Sequence, residues 1–303
     1  AGKVAPSELG VKALDDYTFQ VSLERPVPYF VKMTAHQTMF PAPKKTIEKF
    51  GSDWIKPGNI VSNGAYKLDE WVVNEKMVFS RNANYWDNDK TVIDQVTFLP
   101  IESPNVELTR FQAGQMDVSY ELPNDHFKQL QRDIPDEVIV TPQLGTYYYQ
   151  YNTTKAPYND ANVRKALSYA IDRDVITKYV TGTGEVPAYS FTPEIVNGFS
   201  PAVPEYATWT QKQRNEKAQA LLSEAGYGEG NPLEFNLLYN TNENHKKIAI
   251  AIASMWKKTL GVKVTLENQE WKTYLETRKA QNFEVARAGW IGDYNEASTM
   301  LDL

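Results

Sequence analysis

Cysteine is absent from the 303 residues. Disulfides, thiolate nucleophiles and zinc sites built on thiolates are excluded with it. The absence says little about compartment, because cytosolic and periplasmic proteins alike can lack cysteine. Histidine is scarce: His36, His126 and His245 are the three in the chain. There is no Gly-x-Ser-x-Gly elbow, no His-Glu-x-x-His, no phosphate-binding loop ending in Gly-Lys, and no Gly-x-Gly-x-x-Gly opening a helix after a strand. Paired-carboxylate hydrolysis stays open, since acidic residues are plentiful. No run of eighteen apolar residues occurs, so no helix of the membrane-crossing kind is expected. Basic blocks are missing too, and the net charge of -6 argues against a nucleic-acid partner.

What is present points to a folded binding protein. Hydrophobic residues make up 42% of the chain, which excludes disorder. The length is too great for one ordinary core, so two or more lobes are expected. Tyrosine and tryptophan number 18 and 7. Both offer flat apolar area with a polar tip, which suits binding surfaces.

Along the chain, residues 9–23 read as a hairpin turning at Asp15-Asp16. Pro41 and Pro43 mark a crossing between lobes. A second hairpin pairs 65–73 with 76–80 around Asn74-Glu75. Val92, Asp94, Val96 and Phe98 alternate as a strand. Pro104 opens a helix with Val106, Leu108 and Phe111 as its apolar face, ended by Gly114. A strand over 116–120, a short helix carrying Phe127 and Leu130, and a strand over 138–140 follow. After a tyrosine-rich strand at 147–151, Asp160 or Asn162 caps a helix with Val163, Ala166, Leu167, Ala170 and Ile171 on one face. Thr210 and Gln213 have capping-box spacing, on a helix ended by Gly226. Strand 233–239, helix 244–260, strand 262–267, helix 271–280 and strand 283–288 then alternate. That β-α-β-α-β order predicts a parallel core.

Several segments together resemble the family 5 solute-binding proteins, the peptide-binding components of bacterial ABC importers. They are Gly10 to Phe19 with Pro26-Val-Pro-Tyr-Phe30, Asn63-Gly-Ala-Tyr66 with Arg81-Asn82 and Asn84-Tyr-Trp-Asp87, and Tyr158-Asn-Asp160 with Val163-Arg164 and Ala170-Ile-Asp-Arg173. Leu238-Tyr-Asn240, Glu267-Asn-Gln-Glu-Trp271 and Arg287-Ala-Gly-Trp290 complete the set. The resemblance implies an α/β, periplasmic binding protein-like fold of class II, with two lobes of helix-flanked sheet and part of a small extra lobe. Residues 1–42 would end the extra lobe, 43–144 would belong to the first ligand-binding lobe and 145–303 to the second, hinged near Leu144-Gly145. Both ends, Ala1-Gly2-Lys3-Val4 and Met300 to Leu303, look like cuts through a longer protein. The implied function is capture of short peptides by a monomer in the periplasm and delivery to an inner-membrane ABC permease, with no cofactor, no metal and no catalysis. Murein tripeptide, or another small solute, is the rival ligand.

The implied site centres on 287–294. Asp293 would take a peptide's ammonium, since a carboxylate accepts short bonds from its three donors. Arg287 would either steady Asp293 or meet a peptide carboxylate. Gly289, Trp290 and Ile291 resemble a backbone segment that pairs with the peptide as an added strand. Trp271 and Trp290 would wall side-chain pockets. Asn240, His245 and Arg278 match positions lining the far end of the cleft. The chain also departs from its relatives: Thr181 replaces a lysine and Gln150 a glutamate. Gly145 and Ile291 stand where some relatives place two cysteines on facing segments.

Overall fold

A computed structural model describes residues 5–302. Ala1 to Val4 and Leu303, at the two ends singled out in the sequence, lie outside the described residues. Three separate sheets organise the chain. The hairpin β1 (Val11–Ala13) and β2 (Phe19–Val21) comes first. The short helices α1 (Phe30–Met33) and α2 (Lys44–Phe50) lead to an antiparallel sheet of β3 (Tyr66–Val72), β4 (Lys76–Arg81) and β5 (Gln95–Phe98). Its β3–β4 turn holds Asn74 at φ 61°, a conformation asparagine tolerates better than most residues.

Helices α3 (Pro104–Gln112) and α4 (Asn124–Asp133) follow. Pro104 opens α3 and Gly114, at φ 69°, follows its end, as expected, and Ser103 caps it. The buried face differs from the expected one. Pro104, Glu107 and Leu108 are buried, whereas Val106 is exposed. The reason is the Glu107 carboxylate, whose Oε2 accepts from the Ser119 hydroxyl and from the backbone N–H groups of Tyr120 and Glu121. No strand forms over 116–120, and at its end the Tyr120 amide, which a ladder would need, is taken by the Glu107 side chain. The expected strand over 138–140 is also missing. Ile139 is 80% exposed, and an extended segment without a partner does not hold as a strand.

The second half matches its reading closely. Strand β6 (Gly145–Tyr151) leads into α5 (Ala161–Tyr169), capped by Asp160, then α6 (Arg173–Val175) running into a π-helical turn over Ile176–Thr181. The capping box of Thr210 and Gln213 opens α7 (Gln211–Glu224). Strand β7 (Glu234–Asn240), α8 (Glu243–Leu260), β8 (Lys263–Gln269), α9 (Trp271–Lys279), β9 (Val285–Ile291) and α10 (Ser298–Leu301) complete the described fold. The sheet order is β6-β9-β7-β8, with β7 parallel to both β8 and β9 and β6 antiparallel at the edge.

Strand alternation divides the core. Tyr149, Tyr151, Leu237, Tyr239 and Val285 face the apolar sides of α5, α7 and α8. Leu238 and Ala286 face Tyr274 of α9. Trp256 of α8 is 0% exposed, and its indole N–H donates to the Leu167 carbonyl at 2.8 Å. Replacing Trp256 with Phe removes that donor and leaves a void. The folded state should lose about 2–4 kcal/mol, read as a lower urea midpoint with an unchanged slope. An unmoved midpoint would contradict this packing.

Candidate functional site

Strand β9 outlasts one of its neighbours. It pairs with β6 along its length, from Tyr151↔Val285 to Gly145↔Ile291. With β7 it pairs only at Leu237↔Val285 and Leu238↔Ala286, although β7 continues to Asn240. Two side chains occupy the parting. The Tyr274 hydroxyl donates to the Arg287 carbonyl, and Arg287 Nη1 donates to Asn240 Oδ1 at 3.2 Å. Beyond Ala286, the outer edge of β9 meets no strand among the described residues. Gly289 and Ile291 lie exposed on it. Unpaired strand backbone is a template for another extended chain.

Beside that edge lies a polar, aromatic cluster. The Arg287 guanidinium sits 4.7 Å over the Tyr147 ring, and Tyr147 meets the His245 imidazole at 5.6 Å. His245 is the third residue of α8, and its backbone N–H donates to the Asn242 cap. Burial, reinforced by the nearby Arg287 charge, lowers the His245 pKa to about 3, so the ring stays neutral. His245 Nδ1, Arg287 Nε and Tyr149 Oη are buried without a protein partner. Buried polar atoms of this kind are uncommon, and together they leave hydrogen-bonding capacity here for water or a ligand.

Across the sheet, Arg278 donates to Gln150 Oε1 at 2.8 Å and lies over the Tyr274 ring. Gln150 is thus a neutral acceptor for this arginine. Trp271 stacks on Tyr274 at 5.7 Å and is 47% exposed, so it is not core. Trp290 is half-buried, with its indole N–H donating to the Thr299 carbonyl. Gly145 and Ile291, expected from resemblance to stand on facing segments, are cross-strand partners.

Asp293 and Arg287 form no ion pair among the described residues, which corrects one of the two expected roles of Arg287. The expected strand ended at Ala288, but β9 runs to Ile291 and separates the two groups. Four strand steps alone span about 13 Å. The partner of Asp293 is His36, whose Nε2 lies 3.2 Å from Oδ1, with the side chains 27% and 34% exposed. The backbone N–H of Thr38 donates to His36 Nδ1, so in the neutral ring Nε2 carries the proton and donates to Asp293. Tyr29 stacks on Tyr294 at 5.5 Å beside this pair. Gly292 is tightly enclosed: a Cβ there would meet Leu144 Cδ2 at 2.7 Å and Thr299 Cγ2 at 2.9 Å. The Gly292 N–H donates to the Leu144 carbonyl and the Asp293 N–H to Thr299 Oγ1. These contacts fix where the carboxylate emerges. Sequence reasoning passed over His36, Tyr147 and Tyr274. For the two tyrosines a signal existed: Tyr147 alternates onto the Tyr149 face, and Tyr274 stands three residues after Trp271.

A family model described as bacterial extracellular solute-binding proteins, family 5 middle, matches residues 2–303. The periplasmic oligopeptide-binding protein OppA of Salmonella typhimurium is 54% identical over 303 residues, all of this chain and 56% of that protein. The periplasmic murein peptide-binding protein MppA of Escherichia coli is 52% identical over 302 residues, again 56% of its length. The chain thus spans little more than half of these relatives. The structure of the E. coli murein tripeptide-binding protein superposes with a TM-score of 0.97, covering all of this chain and 59% of that one at 52% identity. Haemophilus influenzae OppA in complex with RPPGFSPFR gives 0.94, covering 99% and 60% at 50% identity. The unliganded open form of MppA gives only 0.62, covering 99% and 58% at 51% identity. The fold is the α/β fold of periplasmic peptide-binding proteins, in an arrangement far nearer the peptide complex than the open form.

The buried neutral His245 carries a pH signature. Below about pH 6.5 the unfolded chain gains a proton on this ring that the folded chain refuses. Its contribution to stability is therefore complete above that pH and is lost as pH falls toward about 3. Between about pH 7 and pH 5, the native protein should lose more stability than His245→Gln, by urea midpoints. Equal losses would contradict the buried neutral ring.

Proposed function

The chain belongs to the bacterial extracellular solute-binding proteins of family 5, and from that premise we propose that it captures short peptides for an ABC importer. The observation that carries the reading is the free outer edge of β9 leading to the Asp293 carboxylate. An extended peptide laid along Gly289, Trp290 and Ile291 gains main-chain hydrogen bonds common to all peptides. Its ammonium then falls to Asp293, displacing or joining the His36 N–H. Burying that ammonium without a counter-charge would cost several kcal/mol. Recognition through main chain and terminus gives affinity without choosing a sequence.

Trp271 and Trp290 wall side-chain pockets, and Asn240, His245, Arg278 and Arg287 form the far end. Arg287, with its Nε unpartnered, serves there as a carboxylate partner. Neutral His245 adds polarity without a second cation. Residues 43–144 and 145–303 are two lobes that close about Leu144-Gly145, with 1–42 ending a third. The protein works as a monomer in the periplasm, hands its peptide to an inner-membrane permease and does no chemistry on it. Murein tripeptide is the second reading, favoured by the 0.97 superposition on a murein tripeptide-binding protein.

Calorimetry on the full-length protein tests the assignment. Asp293→Ala should weaken tripeptide binding by roughly 2–5 kcal/mol, the range for truncating one partner of a buried charge pair. N-acetylated tripeptides should lose a similar amount on the unmutated protein. Equal affinity for free and acetylated peptides would remove Asp293 from the site. A murein tripeptide bound far more tightly than ordinary tripeptides would favour the second reading.

A further inference from the structure

Away from the cleft's charged groups, a polar joint links the loop before α4 to the start of α8. It is built in layers. Buried Glu107 gathers Ser119 and the amides of Tyr120 and Glu121 through its Oε2, at 2.8 to 3.2 Å, and so fixes the backbone that presents Glu121. Glu121 Oε2 accepts from Asn242 Nδ2 and its Oε1 from Asn244 Nδ2, each at 2.9 Å. Asn244 is 5% exposed and fully engaged. It also donates to the Leu122 carbonyl and accepts from the Asn124 N–H. Asn242 Oδ1 meanwhile caps α8, taking the N–H groups of Asn244 and His245. Ser103 donates to Glu243 and Lys247 pairs with Asp125 on either side.

We propose that Glu121, Asn242 and Asn244 form a clasp that holds the two lobes closed and sets His245 in register over Tyr147. The inference rests on the two-lobe capture reading and makes Glu121 and Asn244 positioning residues for it. Three features support a clasp over plain packing. The joint links residues more than a hundred positions apart, Glu121 in 43–144 and Asn242 and Asn244 in 145–303. Its donors and acceptors are matched one to one, carboxylate against two amides, so it specifies a single docked geometry. Once parted, the carboxylate and both amides return to water at little net cost, which keeps the contact reversible where an apolar seam would not be. One asparagine joins the clasp to the site, because Asn242 holds both Glu121 and the amide of His245.

These 303 residues hold no cysteine, and with any cysteine elsewhere in the full-length protein changed to serine, two introduced thiols can be labelled without interference. Asp69→Cys on β3 and Lys279→Cys at the end of α9, both exposed, give a single-molecule energy-transfer pair across the lobes. Closed and open molecules are counted in the full-length protein, with and without trialanine. Glu121→Gln turns a donor toward a donor, and Asn244→Asp sets a carboxylate against a carboxylate. Each should lower the closed-to-open ratio about tenfold, in keeping with the loss of charge-assisted bonds. Together the two changes restore a donor–acceptor pair between 121 and 244 with its polarity reversed, while the Leu122 carbonyl stays without its donor, so the ratio should recover to clearly above that of Asn244→Asp alone. Single variants with an unchanged ratio, or a double variant showing the sum of both losses, would overturn the clasp. Rescue in the double variant, with no response to trialanine in any protein, would leave the clasp standing and sink the peptide reading instead.

Discussion

One strand that continues after its neighbour has turned away governs the whole arrangement. Backbone N–H and C=O groups at a sheet edge need partners, and β9 beyond Ala286 has a partner strand on its β6 side only, among the described residues. The parting is held open by side chains: Tyr274 takes the Arg287 carbonyl and Asn240 takes the guanidinium. Everything assigned to ligand capture lies along that edge or at its ends. Arg287 and His245 sit back where the strands separate, and Asp293 stands forward where β9 finishes.

Much of what makes the chain recognisable as a family member fastens the fold and does not bind. Asn82 donates to the Ser62 and Gly64 carbonyls, closing the approach to β3, and Asn152 does the same for Gln281 and Phe283 beside β9. Tyr158 is fully buried, Arg164 donates to its carbonyl, and Arg173 gathers the Ser168, Ile171 and Ala188 carbonyls. These bonds keep the sheet and its loops rigid, and a rigid frame is what lets a few exposed groups hold a ligand in register.

Local patterns were legible and distant pairings were not. The face of α5, the capping box of α7 and the alternation from β7 to β9 follow from period, cap chemistry and element order, all written within a dozen residues or so. The length of β9 was misjudged because Gly289 reads as a strand breaker, yet full pairing with β6 carries the strand through it. The strand expected over 116–120 does not form, and at its end Glu107, on a preceding helix, takes the Tyr120 amide. His36 reached Asp293 from the far end of the chain, and no spacing in a single sequence encodes such a meeting. The ligand role of Asp293 came from resemblance. The geometry adds that its carboxylate already holds a donor and is one-third exposed.

The central claim is that a peptide completes the unpaired edge of β9. Amide hydrogen exchange at Gly289 and Ile291, whose N–H groups face away from β6, measured with and without a saturating tripeptide, tests it most directly. The account predicts that these amides gain protection when peptide is present, while those of β1 and β2 do not change. Unaltered exchange at Gly289 and Ile291 in a protein that demonstrably holds peptide would contradict it.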